Sequence, residues 1–212
     1  MNRTSQSNAS FWTKVLTVAG AAILAAAPLL AQQANGNGNG NGSGAANRPG
    51  SGTGVCTGTC VTAPQPLSEA EAASLAFMRE EEKLARDVYR RLYAKWNIRS
   101  FDRIAESEQR HMDALGRLLE RYQLADPAAG NAEGVFKSQE LQNLFNQLLA
   151  KGEQSVKDAL EVGVLVEKTD IADLEKALPA VVNTEVKRVY TSLLNGSMNH
   201  LDSFESLLEV VN

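Results

Sequence analysis

The sequence predicts an all-α domain, a bundle of four long helices with a long crossover between the second and the third. Two observations support this prediction. Apolar residues recur at helical spacing in four long segments, and no segment alternates between apolar and polar residues as a half-buried strand does. A short extra helix is predicted within the crossover. The predicted helices span about residues 68–96, 100–124, 138–151, 155–178 and 184–211.

The first 31 residues have the features of an export signal. Arg3 and Lys14 supply positive charge, an apolar run of small residues follows, and Ala31 ends it at an acceptable cleavage site. The run is short for a membrane span, so we expect cleavage and no stable membrane insertion, with an uncleaved anchor as the alternative. Export predicts a location in the periplasm, the cell envelope or the extracellular space.

Residues 32–66 predict a flexible linker, because Gly, Asn and Ser repeats cannot form a core. The first acidic residue of the chain is Glu69, and this change in composition marks the start of a single domain at residues 67–212. That domain holds all 25 acidic residues of the chain against 18 of its 21 Lys and Arg residues. Its negative balance argues against nucleic acid as a partner.

The only two cysteines, Cys56 and Cys60, lie in the linker as CTGTC. In an exported chain such a pair favours a small disulfide loop. The alternative is a thiol site for a metal or for redox chemistry, although no second pair of cysteines is present to complete a four-sulfur site.

The first long helix begins with SEAE, a capping box, and contains three consecutive glutamates. Its apolar stripe is defined by Met78, Ala85, Tyr89 and Leu92. Glu82 lies on this stripe, whereas Glu80 is off it and Glu81 is at its edge. Three consecutive residues cannot all face inward on one helix, so Glu82 is the predicted inward carboxylate. Tyr89, seven residues later, lies almost in line with it.

The second long helix carries Glu108 and His111, three residues apart on the face that also holds Ile104, Leu115 and Leu118. The chain has two histidines in all, and this is the first of them. A glutamate buried on an apolar face without a partner is costly or must hold a proton. A bound metal ion removes this cost.

The last two long helices supply three further polar residues on inward faces. Glu167 follows an apolar run, and Asp170 comes one turn later, where it could bind a metal ion or orient a histidine. In the final helix His200 lies among leucines. A Glu-x-x-His pattern would require Glu at position 197, but the chain has Ser197 there, preceded by Gly196. Gly and Ser are poor residues for a helix interior, so close packing or room for a ligand is expected at these positions.

Together these residues match the ligand pattern of ferritin-like dimetal proteins, in which two helices each give a Glu and two each give Glu-x-x-His, except that the fourth helix has Ser197 in place of its Glu. Two divalent ions bring four positive charges, which the four carboxylates would balance. Oxygen-rich sites with a few imidazoles suit iron or manganese, and zinc can occupy them in vitro. The predicted metal ligands are Glu82, Glu108, His111, Glu167, Asp170 and His200.

Each of these features also has a simpler interpretation. An isolated Glu-x-x-His is common on solvated helices, a single His200 could be a core histidine with a hydrogen-bond partner, and a run of glutamates is usually a solvated face. The agreement of four helices in the expected order favours the dimetal interpretation. Periodicity does not decide between the ferritin-like crossover and a simple up-and-down bundle with the fifth helix packed outside.

The chain resembles the ferritin-like domain-of-unknown-function family 2202 of bacteria and archaea over about residues 67–208. The resemblance rests on four stretches: MREEEKLARDVYRRLYAKW, FDRIAESEQRHMDALGRLLERYQLADP, GVFKSQELQNLFNQLLAKGEQSVKDALEVGVLVEKTDIADLEKAL and VYTSLLNGSMNHLDSF. It implies a ferritin-like four-helix bundle with a long crossover.

The chain is more distantly similar to rubrerythrin, a diiron peroxidase. This likeness implies that Glu82, Glu108, His111, Glu167 and His200 bind two iron ions. The fourth-helix Glu of that pattern is absent, and so are the cysteine pairs of the rubredoxin-like electron donor. The departure argues against a peroxidase that is reduced from within its own chain.

Three functions are consistent with the sequence. The first is an exported dimetal oxidoreductase that reduces peroxide or oxidises ferrous iron with oxygen, with Tyr89 carrying a proton or a radical. The second is a metal-binding module that stores, buffers or senses metal without turnover. The third is a metal-free structural or interaction bundle on a flexible tether. Assembly into a homo-oligomer is compatible with each.

Overall fold

A computed structural model describes residues 66–211, which form five α-helices and contain no strand. The predicted export signal, almost all of the predicted linker, Cys56 and Cys60 lie outside the described residues. None of the described helices is long and apolar enough to cross a membrane. The helices are α1 (Glu69–Trp96), α2 (Arg99–Arg121), α3 (Gln139–Gly152), α4 (Val156–Ala177) and α5 (Thr184–Val211), with a short 3-10 helix at Leu178–Ala180.

The predicted all-α fold and its helix order are therefore confirmed. The largest difference in helix bounds is at the end of α2, which stops at Arg121 and not near residue 124. Gln123 takes a left-handed conformation with φ 56°, and the Leu124 N–H then bonds to the carbonyl of Leu119. This backward hydrogen bond ends the helix before the apolar pattern does.

Contacts between the helices establish their directions. Tyr89 near the end of α1 bonds to Glu167 in α4, whereas Glu81, earlier in α1, meets Asp173, later in α4. Helices α1 and α4 are thus antiparallel. Helices α2 and α5 are antiparallel by the same reasoning. Glu108, within α2, lies beside His200, late in α5, whereas Tyr122, at the end of α2, bonds to Asn183, just before α5.

Since α1 and α2 form one antiparallel hairpin, these directions leave α2 and α4 parallel to each other. Two consecutive long helices that are parallel need a connection that runs back along the length of the bundle. Residues 122–155 form this connection between α2 and α4. This is the ferritin-like arrangement with one long crossover. The simple up-and-down alternative is excluded.

Local sequence signals fix the helix starts. Ser68 and Glu71 form the predicted capping box, in which each side chain bonds to the backbone of the other. The Ser155 side chain accepts the Asp158 N–H at the start of α4. The side chain of Asn183 accepts two N–H groups of the first turn of α5. These caps fix the starts of three of the four long helices, whereas α2 begins after Ile98 without a side-chain cap.

The crossover is attached to α1 by polar side chains. Glu80 accepts the N–H groups of Lys137 and Ser138, which lie just before α3. Lys83 pairs with Asp87 and also donates to the Ala132 carbonyl. The crossover therefore covers a face of α1 that a bare four-helix bundle would expose.

This covering corrects one expectation from the sequence. Glu80, Glu81 and Glu82 are all buried, although only Glu82 was predicted to face inward. The three side chains point in three directions, about 100° apart around the helix. Glu80 meets the crossover, Glu81 meets α4, and Glu82 faces the centre of the bundle. The helix is enclosed on more sides than four-helix geometry predicts.

Two apolar clusters fill the interior and leave a polar layer between them. One cluster is built on Leu75, Met78 and Leu115, and the other on Val88, Tyr89 and Phe204. Every long helix passes from one cluster to the other. Both histidines and the buried carboxylates Glu82, Glu108, Glu167 and Asp170 lie between the clusters.

Candidate metal centre

Five of the six predicted ligands converge in this polar layer, and all four long helices contribute. Helix α1 supplies Glu82, α2 supplies Glu108 and His111, α4 supplies Glu167, and α5 supplies His200. The three glutamates are each 2% exposed. Carboxylates buried to this degree need a cation, a proton or hydrogen-bond donors.

The first group consists of Glu82, Glu108 and His111. His111 Nδ1 lies 3.2 Å from Glu82 Oε2 and 2.8 Å from Glu108 Oε2. The separation of three residues on α2 places Glu108 and His111 on one face, as the sequence predicted. One nitrogen and two carboxylate oxygens therefore point at a common volume.

The second group consists of Glu108, Glu167 and His200. His200 Nδ1 lies 2.8 Å from Glu108 Oε1 and 3.6 Å from Glu167 Oε2. Each group offers three ligand atoms within 4.8 Å of one another. Glu108 belongs to both groups, with one carboxylate oxygen beside each histidine, and the two imidazole rings are 5.7 Å apart.

Asp170, the sixth predicted ligand, lies next to these groups but belongs to neither. Its Oδ2 accepts a hydrogen bond from the Ser197 hydroxyl. Its Oδ1 has no hydrogen-bond partner among the described residues. The structure shows no contact of Asp170 with either imidazole that would orient it. Asp170 and Ser197 instead share the position where a Glu on α5 would complete the six-ligand pattern.

Tyr89 reaches the centre from α1. Its hydroxyl donates to Glu167 Oε1 at 2.7 Å, and its ring packs against Phe101 and Phe204. The sequence placed Tyr89 in line with Glu82, but the structure pairs it with Glu167 on the neighbouring helix. Tyr89 is fully buried, so its hydroxyl serves the centre and not the surface.

Two glycines make room for the centre and its surroundings. A Cβ at Gly196 would lie 2.6 Å from the His111 ring, and a Cβ at Gly163 would lie 2.7 Å from the Phe204 ring. Real Cβ atoms do not approach other atoms this closely. Close packing therefore explains Gly196 in the interior of α5, where its helix propensity is poor.

The protonation of the metal-free centre follows from its crowding. Burial lowers the pKa of each histidine, but the adjacent carboxylates outweigh it and raise the pKa of His111 to about 11 and that of His200 to about 9. Burial raises the pKa of Glu108, yet both histidines lower it to about 2. Burial and the charge of Glu108 raise the pKa of Glu167 to about 8.

The remaining acids follow the same logic. Burial and the charge of Asp170 raise the pKa of Glu82 well above its ordinary range. Burial raises the pKa of Asp170 to about 6, against the opposing hydrogen bond from Ser197. Near neutral pH the metal-free centre thus holds protons on both histidines and on Glu167. Protons occupy the positions where positive charge is needed.

The donor atoms fit a pair of divalent ions. Ligand atoms bound at about 2.1 Å and at right angles are about 3.0 Å apart. This value lies within the 2.8–3.6 Å range of separations between the histidine nitrogens and the carboxylate oxygens. Glu82 Oε1, Glu108 Oε1 and His200 Nδ1 lack a hydrogen-bond partner within residues 66–211. His200 Nδ1 and Glu108 Oε1 are close to each other but poorly aligned for a hydrogen bond. Buried donor and acceptor atoms of this kind are satisfied by metal coordination.

Sequence reasoning missed a second pair of buried acids. Glu81 on α1 was placed at the edge of the apolar stripe, and Asp173 on α4 was not singled out. The structure buries both and places them against each other. The spacing of Glu167, Asp170 and Asp173 at three-residue intervals on α4 was the available signal, because it puts all three on adjoining parts of one face.

Comparison with known proteins identifies the family. The family model described as "Uncharacterized protein domain (DUF2202)" matches residues 71–211. This chain belongs to the DUF2202 family. The match covers the whole polar layer, including both histidines. The predicted membership is confirmed, whereas the more distant likeness to rubrerythrin remains a prediction.

A relative matches a large part of the chain. The chain is 49% identical over 144 residues to "Uncharacterized protein MJ0754" of Methanocaldococcus jannaschii, an alignment that covers 68% of this chain and 78% of the relative. The crystal structure of the hypothetical protein MJ0754 matches with a TM-score of 0.68 and 48% identity, covering 69% of this chain and 84% of that one. The two chains therefore share the helical fold described above.

Proposed function

We propose that this DUF2202 domain binds two divalent metal ions, iron or manganese, and uses them as an exported oxidoreductase acting on peroxide or dioxygen. One observation supports the proposal above the others: Glu108 lies between two carboxylate–histidine groups and offers one oxygen to each. A structural ion pair needs one histidine beside one glutamate. Two histidines on one shared carboxylate are typical of a bridged pair of ions.

Each residue of the centre then has a specific role. Glu82 and His111 would hold one ion, Glu167 and His200 would hold the other, and Glu108 would lie between them. Asp170 supplies the fourth negative charge from α4 in place of the missing Glu on α5. Oxygen-rich donors with two imidazoles suit iron and manganese.

When bound, such a pair of ions supplies two-electron chemistry to peroxide or dioxygen. The protein supplies the surroundings. The two apolar clusters shield the ligands from water, which strengthens every electrostatic interaction in the centre. The Tyr89 hydroxyl oxygen lies 2.7 Å from Glu167 Oε1 and donates a hydrogen bond to it, which is within the distance needed for proton transfer between the two groups.

Metal content is the first test. Full-length chain purified without chelator or affinity nickel should contain about two iron or manganese ions per chain by inductively coupled plasma mass spectrometry. A Glu108→Ala, His200→Ala double variant should lose them. Glu106→Ala is the matched control, because Glu106 lies on the same helix but is exposed, and it should keep both ions. If the wild type and both variants all contained no metal after anaerobic ferrous loading, the proposal would be contradicted.

Turnover is the second test, applied to the loaded protein. Peroxide consumption or ferrous oxidation that disappears in the double variant supports the oxidoreductase. Two tightly bound ions without either activity would instead assign the domain to metal storage or buffering. Melting temperature gives an independent measure, because only a protein with a metal site is stabilised by added metal.

A further inference from the structure

Three aromatic residues that can each give up one electron follow one another along α1. Tyr89, Tyr93 and Trp96 are separated by four and three residues, which places them within about 60° of one another around the helix. At a rise of 1.5 Å per residue, the backbone positions of Tyr89 and Trp96 are about 10.5 Å apart along the axis, with Tyr93 between them. These three residues form an aromatic stripe on one face of α1.

The aromatic stripe leads from the proposed metal centre to the surface. Tyr89 is fully buried, and its hydroxyl oxygen lies 2.7 Å from a carboxylate oxygen of Glu167. Tyr93 and Trp96 are only partly buried, and both pack against the apolar cluster that contains Tyr89. One end of the stripe therefore contacts a proposed metal ligand, and the other end contacts solvent.

Both ends of the stripe carry polar groups that packing alone does not require. Phe101 and Phe204 pack against the Tyr89 ring without hydroxyls of their own, so the apolar cluster does not need a phenol. The Trp96 indole is held in one orientation by a 2.9 Å hydrogen bond from its Nε1 to the Gly152 carbonyl. The side chain at the outer end of the stripe is therefore fixed as well as partly exposed.

Reduction of peroxide needs two electrons, and residues 66–211 contain no cysteine that could supply them. The electrons must then come from outside the domain. The glutamates of the centre, Glu82, Glu108 and Glu167, are each 2% exposed, which leaves an external reductant little access to them. The aromatic stripe connects one of these glutamates to a partly exposed ring that a reductant can reach.

We propose that Trp96 accepts single electrons from an external one-electron reductant and that Tyr93 and Tyr89 carry them to the metal centre during peroxide reduction. This inference rests on the proposed function. In each transfer Tyr89 gives one electron to the centre and its phenolic proton to Glu167. Tyr89 then regains an electron from Trp96 through Tyr93 and regains its proton from Glu167, while the reductant restores Trp96. Two such transfers, with two protons from water, convert one hydrogen peroxide into two water molecules.

The first test examines the stripe in metal-free full-length chain. In a Trp12→Phe background Trp96 is the only tryptophan. Azide radicals generated by pulse radiolysis take one electron from its indole, which loses a proton and becomes an indolyl radical. We expect this radical to regain an electron and a proton as a tyrosine of the stripe becomes a phenoxyl radical. The optical absorption of the two radicals should interconvert at a rate that is independent of protein concentration.

Two variants show whether the stripe carries this electron. In the same background, the Tyr89→Phe, Tyr93→Phe variant should lose the conversion. Tyr190→Phe is the matched control, because Tyr190 is equally buried but belongs to the other apolar cluster, and it should keep the conversion. Far-ultraviolet circular dichroism shows whether the double variant folds, and Tyr93→Phe alone, which should slow the conversion, replaces it if it does not.

The second test uses iron-loaded chain, peroxide and ferrocyanide as the one-electron reductant. Trp96→Phe should lose most of the peroxide-dependent oxidation of ferrocyanide but keep its iron, whereas Trp96→Tyr should retain the oxidation. Both variants remove the indole N–H that bonds to Gly152, and only tyrosine can give up an electron in its place. A difference between them therefore measures electron transfer and not packing.

Conversion that persists in the Tyr89→Phe, Tyr93→Phe variant, or ferrocyanide oxidation that is equal in Trp96→Phe and wild type, would overturn the inference. Failure of the proposed function would look different. In that case the wild type would bind no iron, while the transfer between Trp96 and the tyrosines would still be measured in the metal-free chain.

Discussion

Gly196 is the residue that leaves room for His111 in the polar layer. The imidazole is held on its other side by Glu82 and Glu108 through one nitrogen, so it has no free direction in which to retreat. We expect Gly196→Ala to displace the ring and to lower bound metal from about two ions per chain toward one. Mass spectrometric metal analysis of the purified variant measures this.

Gly116 provides the control for that substitution. It also lies inside a helix, but a Cβ there would meet only the Arg79 guanidinium, at 3.5 Å. Gly116→Ala should keep the full metal content and gain up to about 1 kcal/mol of stability from helix propensity. If Gly196→Ala also kept two ions per chain, the steric role of Gly196 would be wrong.

Ser197 stabilises the carboxylate that replaces the missing glutamate. Its hydroxyl donates to Asp170 and lowers the pKa of that acid against the effect of burial. Ser197→Ala should therefore raise the pKa of Asp170 above its present value of about 6, as carbon-13 NMR of the side chain would show. Leaving a buried acceptor without its donor should also cost about 1–3 kcal/mol of unfolding free energy.

The same change at Ser203 provides a comparison on the same helix. Ser203 is exposed, and its hydroxyl bonds only to the carbonyl of Asn199 one turn earlier. Ser203→Ala should change the unfolding free energy by less than about 0.5 kcal/mol. If the pKa of Asp170 were unchanged in Ser197→Ala, the proposal that Ser197 stabilises the Asp170 carboxylate would be wrong.

The residues that converge in the polar layer were predictable because each is a polar residue on an apolar face. Helical periodicity places Glu108, His111, Glu167 and His200 inward without any knowledge of their partners. The roles of Asp170 and Glu81 were not predictable in the same way. Whether an acid one turn along a helix touches the centre, a serine or another acid depends on the neighbouring helix, which periodicity does not describe.

At the scale of whole elements, caps and apolar stripes determine the helices and the structure follows them closely. The exception is the crossover, whose position on the bundle comes from hydrogen bonds between distant residues. Glu80 shows why the sequence did not reveal this. In the sequence Glu80 belongs to a run of glutamates that is typical of a solvated face. Its carboxylate nevertheless accepts hydrogen bonds from two backbone N–H groups, which lie 57 and 58 residues later in the chain.

Glu80 should therefore be essential for the attachment of α3. Glu80→Ala would leave the Lys137 and Ser138 N–H groups without their acceptor, and we expect a loss of about 1–3 kcal/mol in unfolding free energy. Hydrogen exchange measured by mass spectrometry should show α3 amides exchanging faster than those of α1 and α2. Glu133→Ala is the control, because Glu133 lies in the crossover and is exposed.

Two outcomes of this experiment are informative. Faster exchange confined to α3 would show that the crossover can loosen while the four long helices remain folded. Unchanged exchange in α3, with wild-type stability, would mean that its apolar contacts hold the crossover without Glu80.

At the scale of the whole molecule, topology brings together what the sequence separates. The hairpin before the crossover gives Glu82, Glu108 and His111 to a common layer, and the hairpin after it gives Glu167 and His200. The order of helices and their apolar stripes were implied by sequence pattern, whereas the division of the core into two clusters was not. The parallel relation of α2 and α4 was not, because it depends on which face each hairpin turns toward the other.

This layer makes stability depend on pH in a way that metal should reverse. In the metal-free protein, Glu167, His200 and His111 have folded pKa values of about 8, 9 and 11, above their ordinary values of 4.5, 6.5 and 6.5. The folded state then holds protons that the unfolded chain releases. A raised pKa gives stability that is complete below the unfolded value and is lost as pH rises through the folded value.

We therefore expect the melting temperature of the metal-free protein to fall steadily from pH 5 to pH 9. Bound metal ions require deprotonated ligands, so the loaded folded state holds fewer protons than the unfolded chain at the acidic end of this range. Its melting temperature should rise from pH 5 to pH 7. The Glu108→Ala, His200→Ala variant, which removes one of the titrating histidines and the shared carboxylate, should show a shallower slope and no response to metal. Parallel curves for the metal-free and Mn²⁺-treated wild type would show that the protons and the ions do not compete for one centre.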